Sequence, residues 1–317
     1  MATYKERKRK KRKLTKIEHW LIYAFVRIIV FIIMLFPVEK SLAFAALLGR
    51  CMWDHYKRGR QRALLNLKMS YPEKDHSWHC QVGLRSFQQI VMLVIDILYT
   101  PKLVKKDNWQ KYSKYINCEL AKWIIHEKKG CLMVTGHYGN FEITGYLLGL
   151  FGFDITSIAR PLDNPFINKW LYGVRQRHGQ KIINRKQSSQ QFGKILDNGG
   201  TICFIGDQDA GRKGIFVDFF GRKASAYKSI ALSAIYYNVP VGIAVTRRVG
   251  NRFFFEIETI RVIFPHEWSD KSDPVAWLSQ EYNSALEEGI RKDPSQYWWL
   301  HRRWKSQPKP DKTSPAT

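Results

Sequence analysis

Apolar residues follow two different rhythms along the chain, and each rhythm predicts its own kind of element. Before residue 101 the apolar positions recur every three to four residues over long segments, which is typical of helices. After residue 130 short apolar runs, rich in β-branched residues, alternate with longer amphipathic segments. We therefore predict helices over 58–69, 76–100, 142–150, 165–178, 188–197 and 225–237, strands over 131–135, 153–159, 181–184 and 201–205, and β-rich segments over 239–246 and 253–262.

This alternation predicts the fold class. Short strands separated by helices indicate an α/β fold, with a mixed, largely parallel sheet that is flanked by helices. In such sheets the ligand crevice lies outside the carboxyl ends of the strands. We therefore expect the chemistry of this chain directly after residues 135, 159 and 205.

One apolar segment stands apart near the N-terminus. The run WLIYAFVRIIVFIIMLF covers residues 20–36, and as a helix it would be about 25 Å long against a hydrocarbon core of roughly 30 Å. Arg27 costs about 2.5–3.5 kcal/mol on insertion scales, but the Leu, Ile, Val and Phe side chains return about 0.3–0.6 kcal/mol each and outweigh it. We predict a membrane-anchor helix over 19–37. A signal peptide ending near Ala43-Phe44-Ala45 and a buried core helix remain alternatives.

The anchor divides the chain into four parts: a basic tail over 1–18, the anchor over 19–37, a folded domain over 38–305 and a disordered tail over 306–317. The chain has 52 Lys and Arg against 27 Asp and Glu. Residues 5–16 hold nine of the cations and one of the acids, which leaves +17 on the remainder. Its partners should be anionic: acidic lipid head groups, an acidic carrier protein or nucleic acid.

Five scattered cysteines without a C-x-x-C pair speak against a disulfide framework or a structural zinc site, and they favour a reducing compartment.

The sequence GHYGNFE, residues 136–142, lies at the first predicted strand end. His137 and Glu142 are five residues apart and could not meet on a continuous helix. With Asn140 as a helix N-cap, His137 would lie in a turn and Glu142 in the first helical turn. We then expect the carboxylate of Glu142 to fold back onto one nitrogen of His137, leaving the other nitrogen as a general base. H-E-x-x-H is absent and no other His or Cys is close in sequence, so no metal is expected.

These residues carry a resemblance. The H-x-x-x-x-E of His137 and Glu142 resembles the catalytic motif of glycerolipid acyltransferases. Four further stretches resemble the late acyltransferases of lipid A biosynthesis, the bacterial lauroyl and myristoyl transferases. They are RALLNLKMSYPE (62–73), ARPLDNPFINKWL (159–171), GDQDAGRKGIFVDFFGRKAS (206–225) and QYWWLHRRWK (296–305). One departure is Asp218, where many relatives are expected to have proline or another uncharged residue.

The resemblance implies an acyltransferase domain over 38–305 and transfer of a fatty acyl group to a hydroxyl of a lipid A precursor. It also implies acyl carrier protein as the donor and a place on the cytoplasmic face of the bacterial inner membrane. His137 and Glu142 would be the catalytic pair. The reaction as expected here needs no cofactor.

Five further residues are predicted to bind substrate, each with a structural role as the alternative. Arg160 could bind an acceptor phosphate or the developing oxyanion. Asp207 and Asp209 could bind sugar hydroxyls, and Arg302 and Arg303 belong to an aromatic and basic run that could face substrate or the membrane interface. The glycines and cations over 211–223 resemble an anion-binding loop without a nucleotide signature.

Three other functions stay open at this point. The chain could acylate another glycolipid or an amino-acid lipid with acyl-CoA as the donor. A membrane-tethered nucleic-acid-binding protein would use the charge and the Trp and Arg run, although it leaves the HYGNFE turn unexplained, so no nucleic-acid partner is expected. An inactive scaffold would retain the fold alone.

Overall fold

The computed structural model describes residues 14–127, 129–177, 179–184 and 191–308. The helices are α1 (Lys16–Met34), α2 (Val38–His55), α3 (Lys57–Ser70), α4 (His76–Leu103), α5 (Glu119–Glu127), α6 (Phe141–Leu150), α7 (Pro165–Gln176), α8 (Phe192–Asp197), α9 (Lys228–Tyr237) and α10 (Pro274–Lys292). The strands are β1 (Ser113–Asn117), β2 (Cys131–Thr135), β3 (Ile155–Ala159), β4 (Lys181–Asn184), β5 (Thr201–Ile205), β6 (Ile215–Phe219), β7 (Arg222–Ala226), β8 (Val241–Arg248) and β9 (Phe255–Ile263).

Seven of these strands form one sheet in the order β1, β9, β8, β2, β5, β3, β4, while β6 and β7 form a separate hairpin. The strands from β8 through β2, β5 and β3 to β4 are parallel to their neighbours. β9 runs antiparallel to β8 and parallel to β1. The predicted mixed, largely parallel α/β sheet flanked by helices is confirmed.

The central strand β2 shows why its sequence is apolar at every position. Leu132 and Val134 belong to the core cluster that α9 and α10 cover, whereas Cys131 and Met133 belong to the cluster that α5 and α6 cover. A parallel strand with helices on both faces has no solvent side, so it reads as a continuous apolar run. The boundaries 131–135 and 201–205 were predicted correctly for the same reason, and those of the edge strand 181–184 were also predicted correctly.

The apolar pattern did not reveal α2, α5, α10, β1 or the β6–β7 hairpin. In α2, Leu42 and Ala45 pack into the core with α4, while Phe44, Leu47 and Leu48 are exposed on the opposite side. A helix that is apolar on both sides has no clear polar face to mark its period. The helix predicted from residue 225 begins only at Lys228, because residues 222–226 form β7.

Helix α1 coincides with the predicted anchor and begins a turn earlier. Thr15 caps it, and Thr15 and Glu18 form a reciprocal capping box. No residue of α1 is buried, which speaks against a buried core helix. Among the described residues α1 and α4 are long and apolar enough to cross a membrane, but 56% of the apolar window of α4 is buried. Residues 1–13 of the basic tail and 309–317 of the C-terminal tail lie outside the described residues.

Arg27 lies in the middle of α1 and has partners there. Its Nη1 donates to the hydroxyl of Tyr23 at 2.8 Å, and its guanidinium lies 5.4 Å from the ring of Trp170 on α7. Asn164 at the start of α7 donates to the carbonyl of His19 at 2.8 Å. Cation–π and hydrogen-bond contacts reduce the cost of a charge on an apolar helix. Helix α1 is therefore docked on α7.

A buried ion pair joins α4 to β8. Asp96 and Arg248 are 1% and 3% exposed, and Nη2 of Arg248 donates to Asp96. The backbone N–H of Arg248 donates to Gln296 at 2.7 Å, and the amide of Gln296 donates back to the Arg248 carbonyl at 2.8 Å. This network fixes the short 3₁₀ turn Pro294–Gln296, which leads directly into the QYWWLHRRWK segment.

Loss of this ion pair should destabilise the protein strongly. Asp96→Ala leaves a buried guanidinium uncompensated, so we expect a loss of about 3–5 kcal/mol in the free energy of unfolding. The control is Asp218→Ala, which removes an exposed pair with Lys223 and should cost about 0–1 kcal/mol. Denaturant unfolding in detergent measures both losses, and equal losses would contradict the assignment.

Candidate active site

The site begins with the register between β2 and β5. Thr135 pairs with Ile205 at the carboxyl ends of the two parallel strands, and Gly206 N donates to the Thr135 carbonyl at 2.8 Å. Two residues further along each chain, His137 therefore faces Asp207. A Cβ at Gly136 would lie 3.3 Å from Oδ2 of Asp207, so the absent side chain leaves room for this approach.

Asp207 uses both carboxylate oxygens on His137. Oδ2 accepts from the backbone N–H of His137 at 2.8 Å, and Oδ1 lies 2.8 Å from Nδ1 of its ring. Because an ionised carboxylate only accepts hydrogen bonds, Nδ1 must carry the proton. In the neutral ring Nε2 is then left with a free lone pair.

The electrostatics favour an ionised Asp207 beside a neutral His301. Burial by itself would raise the pKa of Asp207, but the charge and hydrogen bonds of His137, with a contribution from His301, hold this pKa below its ordinary value. Burial lowers the pKa of His301 to about 4. His137 and Arg303 also lower this pKa, whereas Asp207 raises it. At neutral pH the carboxylate charge is therefore available to stabilise a proton on His137.

His137 is 6% exposed and is enclosed by aromatic rings. The ring centroids of Phe141, Trp298 and His301 lie 5.3, 4.8 and 4.4 Å from that of His137. The backbone N–H of Trp298 donates to the His137 carbonyl at 3.1 Å, which positions Trp298 beside the ring. The C-terminal segment thus forms a wall of the site. His301 was not predicted as a site residue, and the QYWWLHRRWK resemblance is the signal that could have found it.

The sequence predicted a contact between Glu142 and His137, but Glu142 binds a different residue. Nε of Arg175 on α7 donates to Oε2 of Glu142 at 2.9 Å, and Nη2 donates to Oε1. Asn140 caps α6 as predicted, accepting from Ile143 N at 3.0 Å. Phe141 then faces His137, and the next residue lies about 100° further around the helix, towards α7. The predicted contact between Glu142 and His137 is therefore wrong. Asp207 is the carboxylate that contacts Nδ1 of His137.

The other predicted substrate residues lie in different surroundings. Arg160 is exposed after β3, 3.9 Å from the exposed Asp163. Asp209 accepts from the backbone and hydroxyl of Ser306 at 3.3 and 3.0 Å, so it ties down the C-terminal segment. Arg302 is exposed next to His301. Of the five, Asp207 is the one that the structure brings onto His137.

The contacts of Arg303 connect neighbouring elements of the fold. It is 1% exposed and donates to the carbonyls of Gln208 and Ser225 at 3.0 and 2.5 Å and to Asn283 at 2.7 Å. It thereby joins the loop after β5 to β7 and α10. Tyr297 and Trp299 of the same segment are fully buried, so these aromatic residues are not a platform on which bases could stack.

The side chains of His137, Asp207 and His301 offer ligand atoms within 4.8 Å of one another. Imidazole and carboxylate groups are chemically suited to hold zinc. Here the Asp207 oxygens already accept from His137, so an ion would have to replace those hydrogen bonds. The distances that bring His301 into this trio arise from the fold, since 164 residues separate it from His137.

A buried histidine whose Nδ1 is held by a carboxylate at the carboxyl ends of parallel strands has Nε2 left to take a proton from a bound hydroxyl. Fold and site thus define an α/β protein with a buried imidazole that is chemically able to act as a base. A family model described as bacterial lipid A biosynthesis acyltransferase matches residues 7–306. The chain belongs to this family and is an enzyme that transfers acyl groups.

Individual relatives are distant but match over most of their length. A lipid A biosynthesis acyltransferase of Haemophilus influenzae is 25% identical over 84% of this chain and 84% of its own. The lipid A biosynthesis lauroyltransferase of Escherichia coli is 24% identical over 92% of this chain and 93% of its own. The myristoyltransferase of Escherichia coli is 22% identical over 89% and 86%.

The His137–Asp207 contact predicts the effect of removing the charge of Asp207. Asp207→Asn keeps the shape but loses the ionised acceptor that holds the Nδ1 proton, so acyl transfer should fall by about 10²–10⁴-fold. Asp154→Asn is the control, because Asp154 precedes β3 at the amino ends of the strands, away from His137, and pairs there with Lys181. Steady-state transfer assays on both purified variants test this, and unimpaired turnover of Asp207→Asn would remove Asp207 from the mechanism.

Proposed function

We propose that this enzyme transfers a fatty acyl group from acyl carrier protein to a hydroxyl of a lipid A precursor, with His137 as the general base. The observation that carries the mechanism is the His137–Asp207 pair at the carboxyl ends of β2 and β5. Membership of the family, with relatives named lauroyltransferase and myristoyltransferase, supports the fatty acyl group and the lipid A acceptor.

The proposed reaction uses one proton shuttle. Nε2 of His137 takes the proton of the acceptor hydroxyl while its oxygen attacks the thioester carbonyl. The tetrahedral intermediate then collapses, the C–S bond breaks, and the carrier thiolate takes the proton back from His137. Asp207 remains ionised throughout and stabilises the imidazolium. Phe141 and Trp298 shield the ring from water, which would otherwise compete as the nucleophile.

Two exposed arginines are proposed to bind the acceptor. Arg160 follows β3, the neighbour of β5, and its side chain is 87% exposed. Arg302 is exposed directly after His301. Exposed guanidinium groups after β3 and next to His301 suit the bidentate recognition of phosphate groups on a lipid A precursor.

The donor is assigned from the charge near the loop after β5. Arg212 and Lys213 are exposed five and six residues beyond Asp207. Arg222 is less available, because its guanidinium stacks 3.6 Å from the ring of Trp304 and contacts Ser70 at 3.2 Å. An acidic carrier protein would be steered to such a basic surface, whereas acyl-CoA offers a smaller charged surface.

The donor assignment predicts a salt effect. With a fixed lipid A precursor as acceptor, kcat/KM for acyl carrier protein should exceed that for acyl-CoA at low salt. It should also fall more steeply as the Debye length shrinks from about 10 Å at 0.1 M to about 3 Å at 1 M salt. Arg212→Glu with Lys213→Glu should reproduce the salt effect for the carrier.

The control for this experiment is Lys111→Glu with Lys114→Glu, an equal change in charge next to and on β1 at the far edge of the sheet. It should leave the donor preference unchanged. Equal salt slopes for the two donors, or a preference for acyl-CoA at low salt, would support the alternative that acyl-CoA is the donor. No transfer to the lipid A precursor from either donor would overturn the proposed acceptor.

We also propose that α1 and the outer side of α2 hold the enzyme in the inner membrane, with the catalytic domain on the cytoplasmic face. No residue of α1 is buried, and Phe44, Leu47 and Leu48 of α2 are 53%, 61% and 44% exposed. Arg50, at the end of this apolar surface, is exposed. An apolar surface with a basic border suits an anionic bilayer interface.

Membrane washing tests this placement. Because apolar side chains of α1 and α2 are proposed to hold the enzyme in the bilayer, 1 M salt should leave the protein in the membrane fraction. Detergent should release it. Changing Phe44, Leu47 and Leu48 to serine should increase the fraction released by carbonate, whereas Leu232→Ser with Tyr236→Ser on α9 should not, although those residues are also exposed. Release by salt alone would show that charge, and not insertion, holds the enzyme.

A further inference from the structure

The ion pair of Glu142 and Arg175 links two helices at the edge of the site. Glu142 lies in the first turn of α6, and Arg175 lies in the last turn of α7. Their side chains are 16% and 21% exposed, and the guanidinium binds both carboxylate oxygens. Bidentate pairs of this kind, screened from water, are stronger and more directional than surface pairs.

Helix α7 lies at the surface of the protein, where Trp170 packs against the core cluster of α4 and α6. None of its residues is buried. Its first half contacts α1, where Phe166 stacks on Tyr23 with ring centroids 6.0 Å apart and Trp170 lies beneath Arg27. Towards the protein body, Glu142 provides the charge-assisted contact that holds the last turn. The ion pair therefore fixes the C-terminal end of α7 while α1 fixes the other end.

The position of α7 determines the position of the Arg160 loop. Asn164 caps α7 by accepting from Phe166 N and Ile167 N at 3.0 and 3.2 Å. Asn168, inside the helix, accepts from Leu162 N at 2.8 Å. Residues 160–164 are thus tied to the first turn of α7 and must move with it. Arg160 is carried on this loop.

We propose that Glu142 is a positioning residue: through Arg175 it holds α7 and the Arg160 loop in place, and so it determines binding of the anionic head group of the acceptor. Proton transfer belongs to His137 and Asp207, because Asp207 occupies Nδ1. Nε2 must stay free for the acceptor hydroxyl, which leaves Glu142 no nitrogen to orient. This inference rests on the proposed lipid A acceptor and on Arg160 as its ligand.

The test is a double-mutant cycle with Glu142→Gln, Arg175→Gln and both together. Each single change should raise KM for the lipid A precursor by about tenfold with little change in kcat, since binding and not chemistry is affected. The double variant should be no worse than either single variant, because both remove the same interaction. The pH profile of kcat should stay that of the wild type in all three, unlike that of Asp207→Asn.

The matched control is Glu258→Gln. Glu258 also has a side chain that is 16% exposed and pairs with Lys292 at 2.6 Å, but it lies on β9 towards the far edge of the sheet. It should leave KM unchanged. Amide hydrogen exchange across residues 165–176 gives a readout independent of activity and should be faster in Glu142→Gln and Arg175→Gln than in the control.

The outcomes separate this inference from the proposed function. A loss of kcat with a shifted pH profile in Glu142→Gln, together with mild effects of Arg175→Gln that add to it, would overturn the inference and return Glu142 to the chemistry. Unchanged exchange in α7 would overturn it as well. A wild-type enzyme that does not acylate the lipid A precursor would refute the proposed acceptor, while the exchange experiment would still test the ion pair.

Discussion

The in-register parallel pairing of β2 and β5 is the constraint on which the site depends. Because Thr135 lies opposite Ile205, the two chains leave the sheet side by side and bring His137 onto Asp207. Both strands are buried on both faces, so a shift of register would place apolar side chains against the wrong helical layer. The geometry of the His137–Asp207 pair is therefore maintained by the core of the protein and not by the loop itself.

A second group of contacts brings a distant segment to this pair. The buried Asp96–Arg248 ion pair and the paired hydrogen bonds of Gln296 fix the turn before Tyr297. Arg303 fixes the other end of the segment against the loop after β5. Between these two anchors Trp298 and His301 come to lie against His137. The aromatic and basic run thus works as a wall that is held at both ends.

The outer elements connect the site with the apolar surface. Helix α1 is docked on α7, α7 carries the Arg160 loop on its N-terminal side, and Arg175 binds Glu142 in the first turn of α6. A motif residue that does not touch His137 can therefore still hold a neighbouring element in place. Helix α1 also presents exposed apolar side chains. The surface suited to a bilayer therefore lies close to the Arg160 loop, where the acceptor is proposed to bind.

Much of the fold could be predicted from the sequence, because buried parallel strands and capped helices leave local patterns. The run CLMVT and the cap at Asn140 are of this kind, and both were placed correctly. Helix α2 could not be recognised, since one apolar side packs on α4 and the other is exposed. The proposed role of His137 was suggested by its place after a strand, and the resemblance of four stretches indicated the family.

What the sequence by itself determined was the α/β class, the position of the histidine and its family. The tertiary structure alone decided which carboxylate meets the histidine. Glu142 is five residues away and Asp207 seventy, yet strand register brings Asp207 to Nδ1, while the turn of α6 directs Glu142 to Arg175. Proximity along the chain does not determine proximity across a sheet, because neighbouring parallel strands are joined by long crossovers.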